Sequence, residues 1–276
     1  MASPDRERIE ELRSPLARRV EVHPEIGSTQ ERARELARSG APHGTLVVAG
    51  AQRGGRGRLG RAWGSPPGGL WFSLVLRPGF GAALAGRVTQ TAAVAVAKAL
   101  WGLGVEARIK WPNDLLVGGA GGRKICGILA ESSVENVPVA VKRVSPGGNA
   151  RLDFIVLGVG LNANFDPEDA GVPDAQVATL RSELGRDVDL VELLGAILTS
   201  LEAELPRIEE DFSGVLDDWR ALGCTLGERV RVRRFGEILE GLAADISSEG
   251  ALILRTEKGA VELYEGEVER LRQPGR

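Results

Sequence analysis

The chain has 276 residues, 43% of them hydrophobic, and a formal net charge of −3. That length suits one large domain plus a small one, and the near-balanced charge speaks against general nucleic-acid binding. No apolar run of about 18 residues predicts a membrane helix, and no signal-peptide pattern opens the chain. The only cysteines, Cys126 and Cys224, imply no disulfide framework, so a soluble, reduced, cytoplasmic protein is expected. The two histidines, His23 and His43, have no metal-ligand pattern around them, which excludes a His-based zinc site.

In chain order, residues 1–24 read as a charged extension with one short helix, Arg6 to Leu12. That is too little for a helix-turn-helix domain. Ser28-Thr29-Gln30-Glu31 opens a helix running to about Ser39. Ser28 with Glu31 three residues later has the spacing of a capping box; a helix N-terminus also accepts anions, so capping and ligand binding are both open to Ser28.

Apolar runs Leu46 to Ala49 and Leu70 to Leu76 predict strands. Between them lies Gln52-Arg53-Gly54-Gly55-Arg56-Gly57-Arg58-Leu59-Gly60-Arg61-Ala62-Trp63, with four arginines and four glycines. It reads as a long, flexible cationic loop on a rigid scaffold. Glycine permits close backbone approach to an anion, and arginine matches carboxylate or phosphate. The pattern Gly55-x-Gly57-x-x-Gly60 within it is not a dinucleotide fingerprint, because Trp63, Pro66 and Pro67 block the helix that must follow.

Arg87 to Trp101 predicts a buried helix, and Val105 to Trp111 a strand. Lys110-Trp111-Pro112-Asn113-Asp114 then breaks regular structure; Asn113-Asp114 is turn chemistry on its own terms. Leu115 to Val117 and Lys124 to Glu131 form a hairpin over a glycine-rich tip. Residues 132–151 are a variable stretch with an exposed loop at Pro146-Gly147-Gly148. Phe154 to Leu161 is almost wholly apolar and so is predicted to be a central strand. Its end, Gly158-Val159-Gly160-Leu161-Asn162, has the small residues of a backbone that something packs against. Asp166 to Ala178 reads as loop. Leu180 to Leu184, Leu190 to Leu205 and Phe212 to Leu222 are predicted helices. After Gly223 come four short strands, 229–233, 238–246, 252–256 and 260–265, the texture of a small SH3-type barrel.

The ordered set of the Gln52 loop, Lys110 to Asp114, Arg123-Lys124-Ile125-Cys126-Gly127-Ile128-Leu129-Ala130-Glu131 and Gly158 to Asn162 resembles the biotin–protein ligases. The resemblance runs from about Gly27 to the C-terminus and is to the form without an N-terminal DNA-binding domain. Where that family opens Ser-Thr-Asn, this chain has Ser28-Thr29-Gln30, one methylene longer. The resemblance implies an α+β fold: a mixed-sheet catalytic domain of the biotin/lipoate ligase type over residues 25–223, and an SH3-like domain over 224–276. It implies ATP and Mg²⁺ as requirements and biotin as substrate. Biotin becomes biotinyl-5′-AMP and is then passed to a lysine of a biotin carboxyl carrier domain, with no nucleic acid, no membrane and a homodimer left open.

Within that resemblance, Lys124, Arg58, Asp114 and Lys110 are the expected catalytic residues. Ser28, Thr29, Gln30, Gln52, Arg56, Gly57, Arg58 and Lys124 are expected to bind biotin. Arg56, Arg58, Arg61, Trp63, Asn113 and Asn162 are expected to bind ATP or the adenylate, and Asp114 to hold Mg²⁺. The chemistry suits these types: two anions must meet, so cations must offset their repulsion. Trp63 and Trp111 are candidate walls for the valeryl chain or adenine, or simply core residues. No P-loop pattern is present, so these loops must hold the nucleotide. The competing readings are a lipoate or octanoate ligase of the same fold, a non-catalytic biotin-binding module, and a DNA-binding repressor.

Overall fold

The computed structural model describes residues 5–134, 151–171 and 176–271. Its larger part is built on a seven-stranded sheet in the order β1-β2-β3-β7-β6-β5-β4. The strands are β1 (Arg19–His23), β2 (Thr45–Ala49), β3 (Leu70–Leu76), β4 (Arg108–Lys110), β5 (Asp114–Val117), β6 (Arg123–Val134) and β7 (Leu152–Leu161). Only β1 and β2 pair in parallel; every other neighbour is antiparallel.

The helices are α1 (Arg6–Glu11), α2 (Thr29–Arg38), α3 (Arg87–Gly102), α4 (Leu180–Leu184), α5 (Leu190–Glu204), α6 (Arg207–Glu210) and α7 (Phe212–Leu222). Alternation along the strands shows what covers each face. Leu46, Val48, Phe72, Leu74, Ile155 and Leu157 join the main core with α3, α5 and α7. Val47, Val75, Phe154 and Val156 point the other way, onto Ala33, Leu36 and Ala37 of α2. Both faces of the central strands are covered, which is why they read as unbroken apolar runs. β7 is the middle strand, as its sequence predicts.

Two departures from the sequence reading concern the start of the chain. The first 24 residues hold more than one short helix: β1 lies within them and forms an edge of the sheet beside β2. Ile9 and Leu16 are buried in the main core. The strand predicted over Val105 to Trp111 shortens to β4, and helix α6, with strand β12 below, was not foreseen. Residues 135–150 of the variable stretch, with Pro146-Gly147-Gly148, lie outside the described residues.

The C-terminal residues form the small SH3-like domain: β8 (Arg229–Arg234), β9 (Glu237–Ile246), β10 (Leu252–Thr256), β11 (Gly259–Leu263) and β12 (Glu267–Arg270), in the order β11-β10-β9-β8-β12. It is bound to α3 and α7 by specific polar contacts. Gln90 Nε2 donates to the Gly250 carbonyl at 3.1 Å, and Arg220 Nε donates to Asp245 at 2.8 Å. This fixed contact brings Glu267 of β12 to the rim of the cleft described next.

Candidate active site

A cleft of about 910 Å³ opens on the α2 face of the sheet, where α2 stops and the side chains shrink. Following that face along β7, Phe154 and Val156 give way to Gly158 and Gly160; on β3, Val75 gives way to Ser73. Gly127 of β6 sits in register with Gly160. The N-terminus of α2 and the loops after β2 and β4 close over this shelf.

The Gln52–Trp63 segment folds back on itself as a hairpin closed by backbone hydrogen bonds. Gln52 bridges to Ser65 and Arg56 to Ala62; Gly57 N donates to Arg61 O at 2.8 Å, and Trp63 N to Gly55 O at 2.9 Å. The tip turns through Leu59 and Gly60, both left-handed at φ 58° and 76°. Gly55 is required there, because a Cβ would come within 2.5 Å of the Trp63 carbonyl.

The four arginines separate. Arg53 pairs outward with Glu25 at 2.9 Å, Arg56 with Glu31 of α2 at 2.5 Å, and Arg61 with Glu267 of the C-terminal domain. Arg58 alone of the four turns inward, and its Nη1 donates to Asn113 Oδ1 at 3.2 Å. Burial lowers the Arg58 pKa from its ordinary value, while Asp114, Glu265 and Glu267 act against that. Glu31 is thus engaged with Arg56, and α2 is capped by Ser28 alone, whose Oγ accepts from Glu31 N at 3.4 Å.

An ion pair of the candidate site joins β5 and β6. Lys124 Nζ sits 2.7 Å from Asp114 Oδ1 and 4.7 Å from the centroid of the Trp63 ring. That ring lies against the paired glycines: a Cβ on Gly160 would be 2.6 Å from Trp63 Nε1, and one on Gly127 3.0 Å from the ring. The flat group seated on the glycine shelf is therefore Trp63 itself. Its Nε1 is buried against Gly160 with no hydrogen-bond partner among the described residues. Trp111 is different: fully buried, it belongs to the main core. Lys110, on β4 opposite Asp114, lines the same cleft.

Neutral groups make the opposite wall. Thr29 N and Oγ1 lie 2.8 and 3.1 Å from Gln52 Oε1, and Gln52 Nε2 donates to Ser65 Oγ at 2.9 Å. Behind them, Thr29 Oγ1 meets Ser73 Oγ at 3.0 Å. Gln30 also lines the cleft, with its amide bonded to Ser73, Val156 and Glu131. The two asparagines brace backbone: Asn113 Nδ2 donates to Ile128 O, and Asn162 Nδ2 donates to Lys124 O and Ala178 O. For Asn162 only the amide oxygen is left for a nucleotide.

Sequence reasoning missed Ser65, Ser73 and Glu267. Ser73 carries a signal, as the single polar residue of an otherwise apolar strand. Glu267 carries none, since its contact with Arg61 joins residues far apart in the chain.

A cationic, glycine-floored cleft facing a neutral hydrogen-bonding wall fits the activation of a carboxylate that carries a polar head. The match to known proteins agrees. The Biotin/lipoate A/B protein ligase family profile matches residues 22–143, and that of the Biotin protein ligase C terminal domain matches 225–271. The biotin--[acetyl-CoA-carboxylase] ligase of Paracoccus denitrificans is 32% identical over 246 residues, covering 84% of this chain and 92% of that protein. The chain belongs to the biotin protein ligase family. Another member, the bifunctional ligase/repressor BirA of Bacillus subtilis strain 168, is 34% identical, with 90% of this chain and 72% of that one aligned. Among solved structures, the biotin protein ligase from Aquifex aeolicus in complex with biotin and ATP superposes with a TM-score of 0.74 at 28% identity, covering 93% of this chain and all of that one. As a member of this family, the chain carries both of its parts, the ligase sheet and the C-terminal domain, in the family's order.

Proposed function

We propose that this protein joins biotin to ATP as biotinyl-5′-AMP and then transfers the biotinyl group to a lysine of a biotin carboxyl carrier domain. The observation that carries this reading is the Lys124–Asp114–Trp63 cluster facing the Thr29–Gln52 wall across one cleft. A carboxylate must approach an α-phosphate there, and both are anions. Lys124 and Arg58 offset their repulsion in a partly dehydrated site, where fixed cations act more strongly than in water.

In the first step a biotin carboxylate oxygen bonds to the α-phosphorus, and the bond from that phosphorus to the bridging oxygen breaks, with pyrophosphate leaving. Lys124 sits beside the reacting carboxylate, Arg58 beside the phosphates, and Trp63 walls the nucleotide; Arg56 reaches the phosphates only by leaving Glu31. In the second step the neutral amine of the acceptor lysine bonds to the activated carbonyl carbon, the carbon–oxygen bond to AMP breaks, AMP leaves, and the nitrogen gives up one proton to water as the amide forms. No covalent bond to the enzyme is needed. Cys126 is fully buried, and burial pushes its thiol pKa far above the ordinary value, so it is unsuited to act as a nucleophile.

Among the described residues no cluster of three or more His, Cys, Asp or Glu could cage a metal. That suits Mg²⁺ arriving with nucleotide phosphates, because this ion keeps several waters and takes one or two carboxylates. Asp114 would supply one, and the ion would neutralise phosphate charge.

The polar wall favours biotin over lipoate or octanoate, whose ends have no N–H groups to bond to it. Residues 5–24, with one six-residue helix and a strand set into the sheet, offer no DNA-reading element. No helix of the described residues is long and apolar enough to cross a membrane, and both cysteines are free thiols, which supports a cytoplasmic setting.

The test is purified protein with biotin, ATP and Mg²⁺, assayed for pyrophosphate and for biotin on an added carrier domain. Both products are expected; pyrophosphate without any carrier labelling would remove the second half of the reading.

A further inference from the structure

We propose that Glu131, held by Arg34, is a positioning residue for the substrate's head group. Acting through Gln30 and Ser73, it sets the direction of the hydrogen-bond chain that ends at Thr29 and Gln52. The inference rests on the biotin ligase reading above and adds Glu131 and Arg34, which lie outside the lining of the cleft.

The direction follows from which atoms can donate. Gln30 Nε2 lies 2.9 Å from Glu131 Oε2 and 3.1 Å from Val156 O. Both are acceptors only, so the Gln30 NH2 must face them. Its Oε1 then faces Ser73 Oγ at 3.1 Å, and Ser73 must donate, since an amide oxygen cannot. With its one proton engaged, Ser73 meets Thr29 Oγ1 at 3.0 Å as an acceptor. The Thr29 proton has two acceptors within the protein, Ser73 Oγ and Gln52 Oε1 at 3.1 Å, and given to either it leaves the lone pairs of Thr29 Oγ1 for the cleft.

At the far end, Ser65 Oγ donates to Trp63 O at 3.2 Å and therefore accepts from Gln52 Nε2. Gln52 Oε1 is turned to the Thr29 N–H at 2.8 Å and is likewise an acceptor facing the cleft. The wall so arranged reads N–H donors. The ring urea of biotin has two of them; a dithiolane or an alkyl end has none.

Glu131 anchors the chain of bonds. It is a carboxylate paired with Arg34, and a charged acceptor bonds an amide more strongly than a neutral one. The longer Gln30 of this chain reaches it because Gly158 leaves room: a Cβ there would lie 2.4 Å from Gln30 Oε1. Without Glu131 the Gln30 amide loses its stronger acceptor, turning over becomes less costly, and the donor sense of the whole wall is loosened.

The experiment is calorimetric binding of biotin, and separately of a non-hydrolysable ATP analogue, to the full chain and to Glu131→Ala. Biotin affinity is expected to fall about tenfold, the size of one charge-assisted hydrogen bond, with nucleotide affinity unchanged. A biotin methylated on one ureido nitrogen is expected to be rejected less sharply by Glu131→Ala than by wild type, a change that general loosening does not produce. Glu131→Gln, which keeps an acceptor opposite Gln30, is expected to restore most of the lost affinity.

Unchanged biotin affinity in Glu131→Ala, or an equal loss for nucleotide, overturns the proposal. Should that variant not fold, Arg34→Met decides: a smaller loss in the same direction supports the relay and no loss overturns it. A wild type that binds biotin yet never activates it refutes the functional reading and leaves the relay standing on its binding data.

Discussion

Lys124 and Asp114 face each other at 2.7 Å across the β5–β6 pair, with Trp63 against the same ammonium group. The pair keeps a cation in place on a strand, a more rigid mount than a loop. On the proposed reading, Lys124 exchanges this carboxylate for that of the substrate without being stranded unpaired.

Lys124→Ala is therefore expected to cut adenylate formation sharply. One well-placed donor at a developing charge contributes about 3 kcal/mol, a hundredfold or more in rate. Pyrophosphate release under saturating substrates reads this directly, and an unchanged rate removes Lys124 from the first step.

Arg58→Gly is expected to make the enzyme leaky. Arg58 ties the hairpin tip to Asn113 and is the loop arginine aimed inward, so it helps retain a mixed anhydride that reacts with any amine it meets. Losing a charge-assisted contact costs about 1.5–3 kcal/mol, or roughly ten- to a hundredfold faster escape. Biotin on bystander proteins mixed with the variant is the readout. Normal adenylate formation without bystander labelling shows that Arg58 does not retain it; no adenylate at all assigns it to the first step with Lys124.

Gly160→Ala tests the seat of Trp63. The new methyl would lie 2.6 Å from Trp63 Nε1, and the ring is confined by Gly127 and Lys124. Overpacking of this kind costs about 1–3 kcal/mol, so KM for ATP is expected to rise roughly tenfold or more. Gly127→Ala, with 3.0 Å to the ring, is expected to do less. Equal, wild-type values for both variants show that Trp63 does not wall the nucleotide.

The site's cations and glycines were legible because their motifs are local: Gln52 to Trp63, Lys110 to Asp114 and Lys124 to Glu131 each fall within one turn or strand. β1 was not legible. Arg19-Val20-Glu21-Val22-His23 has two apolar residues, and as an edge strand it presents polar groups to solvent. The fates of the arginines were hidden for another reason. Arg56 to Glu31, Arg61 to Glu267 and Arg34 to Glu131 are long-range pairs, and no spacing rule reports them. The hairpin form of the Arg/Gly segment depends on Ser65 and Trp63, which its composition does not advertise.

His43 makes acid stability a further test. Its Nδ1 accepts from Arg77 N at 3.2 Å, which requires the neutral ring. Burial lowers its pKa below the ordinary 6.5, and Arg18 lowers it further. The unfolded chain binds the proton more readily, so this contribution to stability is present above pH 6.5 and is lost as pH falls through the lower folded value. Tm is expected to decline on acidification from neutral pH, and His43→Gln, which cannot titrate, to flatten that decline. An identical pH profile in the variant removes His43 as a cause.

The central claim is that this cleft activates biotin with ATP. Isotope exchange between labelled pyrophosphate and ATP measures that step alone, without an acceptor or product release. Exchange dependent on added biotin, absent with lipoate or octanoate, and abolished in Lys124→Ala is the expected result. Exchange driven by lipoate or octanoate and not by biotin would contradict it.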